Sequence, residues 1–376
     1  MKVALVHYWL VGMRGGEKVL ESFCRLYPQA DIFTLVAEPA QLSDTLRRHR
    51  ITTSFLQKIG GRRHYQKMLP LMPYALESLD LTGYDLVISS EAGPAKGVVT
   101  RPDSLHVCYC HSPLRYLWDL APQYRAASGP LTRLAMTLFG PGLRQWDVTT
   151  AARVDAFIAN SAYVAQRIGK YYRREATVIH PPVDLSRFAP AEAVDDAYLC
   201  AGQITPYKKI ELAVEAFSRM GRRLDIIGEG ASDQLRRRAG PGIRFLGPVS
   251  DAEMARQLAR CRALVFPGVE DFGIVPLEAM ASGRPVLAFG RGGATETVVD
   301  GKTGLLFHEQ TAEAIIDAVQ RFEAGAVTGT PEEFRAHVAQ FSRDRFERRI
   351  ASFIDERLAR TGSPRPGGED RSARAR

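Results

Sequence analysis

Glu270 and Glu278 stand with seven residues between them, in the stretch Glu270-Asp271-Phe272-Gly273-Ile274-Val275-Pro276-Leu277-Glu278. A carboxylate opens it, Gly273 bends it, and Pro276 suits the first turn of a helix, where its missing N–H costs nothing. The backbone N–H groups of Phe272, Gly273, Ile274 and Val275 would then point at whatever lies before that helix. Such a start attracts anions, and a diphosphate fits it. Carboxylates beside a phosphate pocket repel the phosphates and serve better as acceptors for hydroxyls. The combination suggests a nucleotide-sugar, which carries hydroxyls at both ends of its diphosphate.

Three other groups of residues invite chemistry. Gly15-Gly16-Glu17 follows a short apolar run, and glycines there let the backbone come close to a ligand. Gly202-Gln203-Ile204-Thr205-Pro206-Tyr207-Lys208-Lys209 closes another apolar run and supplies a cation in Lys208. Cys108-Tyr109-Cys110-His111-Ser112-Pro113-Leu114-Arg115 offers two thiols and an imidazole. On a strand, residues two apart share a face, so His111 points away from both cysteines. Structural zinc sites usually space their cysteines wider, and no metal is expected here. Gly290-Arg291-Gly292-Gly293 resembles a dinucleotide fingerprint, but Thr295 stands where the third glycine belongs, so it is read as a turn that starts a helix.

The elements around these residues alternate between apolar runs and amphipathic stretches. Strands are expected at 2–8, 86–89, 106–111, 156–160 and 177–180, with a helix after Ser161 as N-cap. Pro181-Pro182 stops the chain, and a linker-like stretch runs to about Asp196. A second alternation follows: strands at 198–204, 224–227, 244–246, 263–266 and 286–289, and helices at 209–220, after the Ser250-x-x-Glu253 capping box and after Gly273. Repeated strand–helix units imply parallel sheets with helices on both faces. The expected organisation is α/β: two Rossmann-like, doubly wound domains, 1–182 and 183–344, with a helix at 345–360 and a disordered tail at 361–376. Ligands of such folds bind at the carboxyl ends of strands.

The E-x7-E spacing is similar to the acidic motif of retaining glycosyltransferases of family four, which have the GT-B fold. Three following stretches also resemble that family: Ala279-Met280-Ala281-Ser282-Gly283-Arg284-Pro285-Val286, then Gly292-Gly293 with Glu296, and Asp300-Gly301-Lys302-Thr303-Gly304. The resemblance runs from Val3 to about Arg349. It implies two domains facing across a cleft, with the C-terminal helix crossing back to the first. It places Gly15 and Gly16 near the donor phosphate and sugar, Glu270 on the sugar hydroxyls and Glu278 on the ribose. It sets Lys208 on the diphosphate and His111 beside the donor sugar. At Gln203 the family usually has Arg, a permanent charge that an amide does not replace. The segment around His111 resembles bacterial mannosyltransferases of O-antigen and exopolysaccharide assembly. That implies GDP-mannose as donor and a lipid-linked oligosaccharide as acceptor, with no cofactor. Another nucleotide-sugar (a UDP-sugar or dTDP-rhamnose), a soluble GT-B epimerase and a non-catalytic sugar-nucleotide-binding protein remain as alternatives.

Composition agrees with two cores: 376 residues, 45% hydrophobic. No apolar run approaches the ~20 residues of a membrane-spanning helix. The first residues read as a buried strand rather than a signal peptide. Five cysteines form no disulfide framework, so a reducing cytoplasm is expected. The net charge is +8, and no Asp or Glu occurs from Thr45 to Leu76, where seven Lys and Arg alternate with Phe55, Leu56, Ile59, Tyr65, Met68, Leu69, Leu71 and Met72. That pattern suits the anionic inner face of the plasma membrane, with a solvated face over the core as the other reading. No nucleic-acid-binding motif is present.

Overall fold

The computed structural model describes residues 1–361. Of the tail expected at 361–376, Thr361 instead ends the last helix, and 362–376 lie outside the described residues. The chain divides into two compact units, Met1–Pro182 together with the chain from Asp344 onward, and Val183–Arg343.

Unit 1 is a seven-stranded sheet. Its strands are β1 (Val3–His7), β2 (Asp31–Thr34), β3 (Ile51–Thr53), β4 (Leu86–Glu91), β5 (Leu105–Cys110), β6 (Ala156–Ala159) and β7 (Ala176–Val178). The spatial order is β3-β2-β1-β4-β5-β6-β7, and every pair is parallel. β1, β4 and β5 are buried along their whole length. Helices cover both faces of such strands, which is why they open as apolar runs without alternation, although Ser89, Ser90, Glu91 and His106 are buried in them as well. β2 and β3 escape the sequence reading. They are four and three residues long, and all of β3 is only half-buried at the sheet edge.

Unit 2 repeats the design with six strands: β8 (Tyr198–Ala201), β9 (Leu224–Ile227), β10 (Ile243–Gly247), β11 (Leu264–Phe266), β12 (Val286–Phe289) and β13 (Gly304–Phe307). Their order is β10-β9-β8-β11-β12-β13, again all parallel. The helix Arg343–Thr361 returns to unit 1. Its Phe346, Ile350, Ile354 and Leu358 recur at helical spacing and enter the core around Val3, Leu5 and Phe23. The ring of Phe346 lies 5.8 Å from Phe23 and 5.7 Å from Tyr109.

In both sheets the order reverses beside the first strand of the unit: between β1 and β4 in unit 1, and between β8 and β11 in unit 2. Chains leaving two neighbouring strands in opposite directions open a crevice at their carboxyl ends. Ligands of doubly wound sheets bind there. The residues singled out from the sequence follow β1 and β5 in one unit, and β8 and β11 in the other.

Candidate functional site

In unit 2, Gly202 ends β8 with φ +119°. That backbone conformation favours glycine, and a Cβ there would stand 2.6 Å from Lys208 Nζ and displace the ammonium. Lys208 ends a short 3-10 turn, Pro206–Lys208, and Lys209 then enters the helix Ile210–Met220. Gly268, past the end of β11, passes equally close, since a Cβ there would lie 2.6 Å from Lys208 Cα. These two close approaches bring the segments after β8 and β11 together. The result is an ion pair, Lys208 Nζ to Glu270 Oε1 at 2.8 Å, with both side chains largely shielded from solvent.

Gly273, at φ +81°, is the N-cap of the helix Ile274–Ala281. Pro276 falls in its first turn as expected, and Ile274 and Val275 occupy the first two positions, whose amides have no acceptor inside the helix. Phe272 lies one residue outside the helix. Its ring is buried 5.8 Å from Phe341, so only its backbone faces the question of ligand binding. Glu278 sits in the second turn, half-buried. Gln203 is exposed beside Gly202.

Gly292 and Gly293 brace this loop, a role the sequence reading did not assign. Gly293 N–H donates to the Glu270 carbonyl at 2.9 Å. A Cβ on Gly293 would come within 2.2 Å of Phe272, and one on Gly292 within 2.4 Å of the Glu270 carbonyl oxygen. The turn does start a helix, Ala294–Thr297.

Unit 1 fills the same topological position differently. Gly15 opens the helix Gly15–Leu26 just after β1. A Cβ on Gly16 would meet Tyr8 Oη at 2.9 Å, His7 Cε1 at 3.4 Å and His111 Nε2 at 3.8 Å. Gly15, Gly16 and His111 are therefore brought together. His111 follows β5 and is held on three sides. Its Nε2 is 2.9 Å from Ser90 Oγ, its N–H donates to the Glu91 carbonyl at 2.6 Å, and its carbonyl accepts from Asn160 Nδ2 at 3.0 Å. Cys108 and Cys110 point elsewhere, into the apolar cluster of Ala151, Phe157 and Val164. Burial pushes the Cys110 thiol well up.

Beneath the glycines lies Glu17, buried, with Oε1 3.8 Å from His7 Nε2 and Oε2 accepting from the Arg14 N–H at 3.1 Å. Burial raises its carboxyl, but His7 and the backbone donors outweigh this and hold it below the usual glutamate range. The Gly-Gly-Glu spacing was the available sign of this buried carboxylate.

Residues 13–187 match the family model of Glycosyltransferase Family 4, and residues 195–324 that of Glycosyl transferases group 1. Each unit is therefore similar to a glycosyltransferase domain. The chain is similar to a D-inositol 3-phosphate glycosyltransferase of Streptomyces avermitilis, 30% identical over 206 residues, which are 45% of this chain and 44% of the relative. It is similar as well to a GDP-mannose-dependent monoacylated alpha-(1-6)-phosphatidylinositol monomannoside mannosyltransferase of Corynebacterium glutamicum, 28% identical over 256 residues, 57% of this chain and 65% of the relative. The chain thus spans about half the length of the curated relatives it matches. Among solved structures, Alr3699/HepE of Anabaena in complex with UDP matches with a TM-score of 0.69 and 16% identity, over 95% of this chain and 100% of that one. The two parallel-sheet units are those of the GT-B fold.

Proposed function

We propose that the chain is a retaining, metal-independent glycosyltransferase. It moves mannose from GDP-mannose to a lipid-linked oligosaccharide at the inner face of the plasma membrane, in bacterial surface polysaccharide synthesis. The observation that carries this reading is the Lys208–Glu270 pair in front of the Ile274–Ala281 helix, at the point where the unit 2 sheet reverses. Lys208 and the first-turn amides stabilise the departing diphosphate, and fixed charges and dipoles of this kind are often the largest catalytic term. Glu270 exchanges part of its contact with Lys208 for the hydroxyls of the donor sugar. Glu278 takes the ribose. Within unit 1, His111 is oriented through Ser90 and Glu91 beside the Gly15-Gly16 backbone and offers a polar group at the carboxyl end of that sheet.

Support for metal independence is the lack of an Asp-x-Asp pair in the sequence, with a lysine and a helix start standing at the diphosphate position. Support for mannose is the segment from Cys108 to Arg115 and the GDP-mannose-dependent relative. The membrane placement rests on the basic window from Thr45 to Leu76. There Leu56 and Met72 prove to be core residues, whereas Phe55, Ile59 and Leu71 are exposed.

The test is a thermal-shift and turnover screen with EDTA against GDP-mannose, UDP-glucose, UDP-N-acetylglucosamine and dTDP-rhamnose. Stabilisation by GDP-mannose with slow release of GDP is expected. A shift with another donor would overturn the mannose assignment, and no shift with any would overturn the site. Conversion of a UDP-sugar to its epimer would replace transfer with epimerisation.

A further inference from the structure

The helices Ala121–Ala127 and Pro130–Ala151 form a hairpin in unit 1 that the proposed chemistry does not use. None of residues 121–139 is buried. The second helix nonetheless carries Leu131, Leu134, Leu138 and Phe139 there, at 80%, 55%, 65% and 48% exposure. At ~100° per residue the three leucines fall within about 60° of one another on one side of the helix, with Phe139 flanking them. A stripe of this size facing water marks an interaction surface.

The hairpin is built to hold its shape. Arg133 donates from Nε to the Arg125 carbonyl at 3.0 Å and from Nη2 to the Ala126 carbonyl at 2.9 Å, which caps the first helix with a residue of the second. Past Pro141 the second helix dives into the unit. Leu143 joins Leu114 and Leu117, and the ring of Trp146 lies where a Cβ on Gly97 would be. Asp147 is wholly buried, where it pairs with Lys96 and accepts from Trp118 Nε1 at 2.8 Å and Tyr172 Oη at 3.0 Å. Lys96 also pairs with Glu91 at 3.2 Å. A stripe that projects from so firm a base is a fixed feature rather than a frayed end.

Its charge identifies the occupant. No Asp or Glu occurs from Leu120 to Trp146, and the charges there are Arg125, Arg133 and Arg144. A second acid-free segment touches the same base: Leu69 packs against the cluster of Leu114, Leu117 and Leu143, and Trp146 Nε1 donates to Glu77 just past that segment's end. Residues 362–376 contain no Leu, Ile, Val, Met or aromatic residue with which to cover the stripe. Apolar side chains on a hairpin whose only charged residues are arginines fit an anionic bilayer surface. At ~1.5 Å per residue the exposed part is far too short to span one.

We infer that this hairpin is the element that seats unit 1 on an anionic lipid bilayer, with Leu131, Leu134, Leu138 and Phe139 entering the headgroup boundary. The inference rests on the membrane placement proposed above and names its apolar anchor, which the window at 45–76 complements electrostatically.

The test is flotation of the whole protein with vesicles of equal parts phosphatidylcholine and phosphatidylglycerol, comparing wild type with Leu131→Glu, Leu134→Glu and Leu138→Glu combined. The stripe is exposed, so the variant should fold and keep its thermal shift with GDP-mannose. Its recovery with vesicles should fall at least about tenfold. As a second readout, Leu131→Trp should shift its emission to the blue and be quenched by brominated lipid. If the triple variant floats like wild type, or the tryptophan stays unquenched, the hairpin is not the seat. If wild type does not float at all, the membrane placement falls with it, while donor turnover is read separately. If wild type is a dimer that the variant abolishes, a second copy covers the stripe and the lipid assignment is wrong.

Discussion

The two units share one topology and use its reversal point differently. Unit 2 places a cation, a carboxylate and a helix start there, all within one short reach of Lys208 and Glu270. Unit 1 places glycines and an imidazole there, and keeps its strongest charges out of solvent in the Glu91–Lys96–Asp147 cluster. Their surfaces differ in the same sense. Among the described residues, Val194 and Val299 are the exposed large apolar residues of unit 2, and the others belong to unit 1. A parallel sheet therefore fixes where a ligand goes but not what kind. On the proposed reading, unit 2 takes a charged ligand, and unit 1 neutral groups and a surface.

The largest effect expected is structural. Lys96→Met leaves Glu91 and Asp147 buried without their cation, and breaking a buried pair costs about 3–5 kcal/mol. Thermal unfolding of the full chain should show a clear loss of Tm. Lys208→Met breaks a pair that keeps 13% and 19% of its side-chain exposure, against none in the Lys96 cluster, and should lower Tm less. Equal losses in both would break the contrast between a structural charge cluster and a ligand-binding one.

Next comes activity. Glu270→Ala should lower turnover at least about tenfold, the effect of losing one hydrogen bond to a charged group. Glu278→Ala should act mainly by weakening donor binding. Steady-state kinetics that leave both near wild type would remove the carboxylates from the site.

A pH effect comes third. Burial first, and Asp147 second, push the Glu91 carboxyl up to about 7, against the pull of Lys96. A carboxyl raised on folding adds stability that is fully present below its ordinary value of ~4.3 and is lost as pH rises through the folded value. His106 nearby is lowered to about 4 by burial and by Lys96, which has the opposite slope. Glu91→Gln removes only the first term. The Tm advantage of wild type over this variant should therefore shrink between pH 5 and pH 8, and calorimetry at several pH values would show a constant difference if Glu91 does not titrate there. The smallest effect is expected for Gln203→Arg. It sits exposed beside the phosphate position, so it should be tolerated and tighten donor binding, as titration calorimetry would report.

Much of this contrast was legible in the sequence, and the reasons for the rest are physical. Strand 224–227 and strand 286–289 coincide with β9 and β12, because buried parallel strands are mainly apolar; Asp225, the exception in β9, pairs with Arg244. Ser161 caps its helix as read, accepting from the Val164 N–H. β3 was missed because Ile51, Thr52 and Thr53 lie half-buried at an edge, with little apolar signal. Glu270, Gly273 and Pro276 announce their helix start by type and spacing. The pairing of Lys208 with Glu270 was not legible, since it depends on Gly202 and Gly268 bringing two distant segments together. Nor was the exposed stripe. Leu131, Leu134 and Leu138 have the spacing of any core-facing helix, and only the fold shows that no described residue covers them.

The central claim is that the unit 2 pair handles a sugar at Glu270 and a diphosphate at Lys208. The most direct measurement is calorimetric titration of GDP and of GDP-mannose into wild type and Glu270→Ala. The account expects GDP-mannose to bind at least about tenfold more weakly to the variant, with GDP binding no weaker, because removal of Glu270 leaves Lys208 and the helix start in place. An equal loss for both ligands, or none for either, would contradict it.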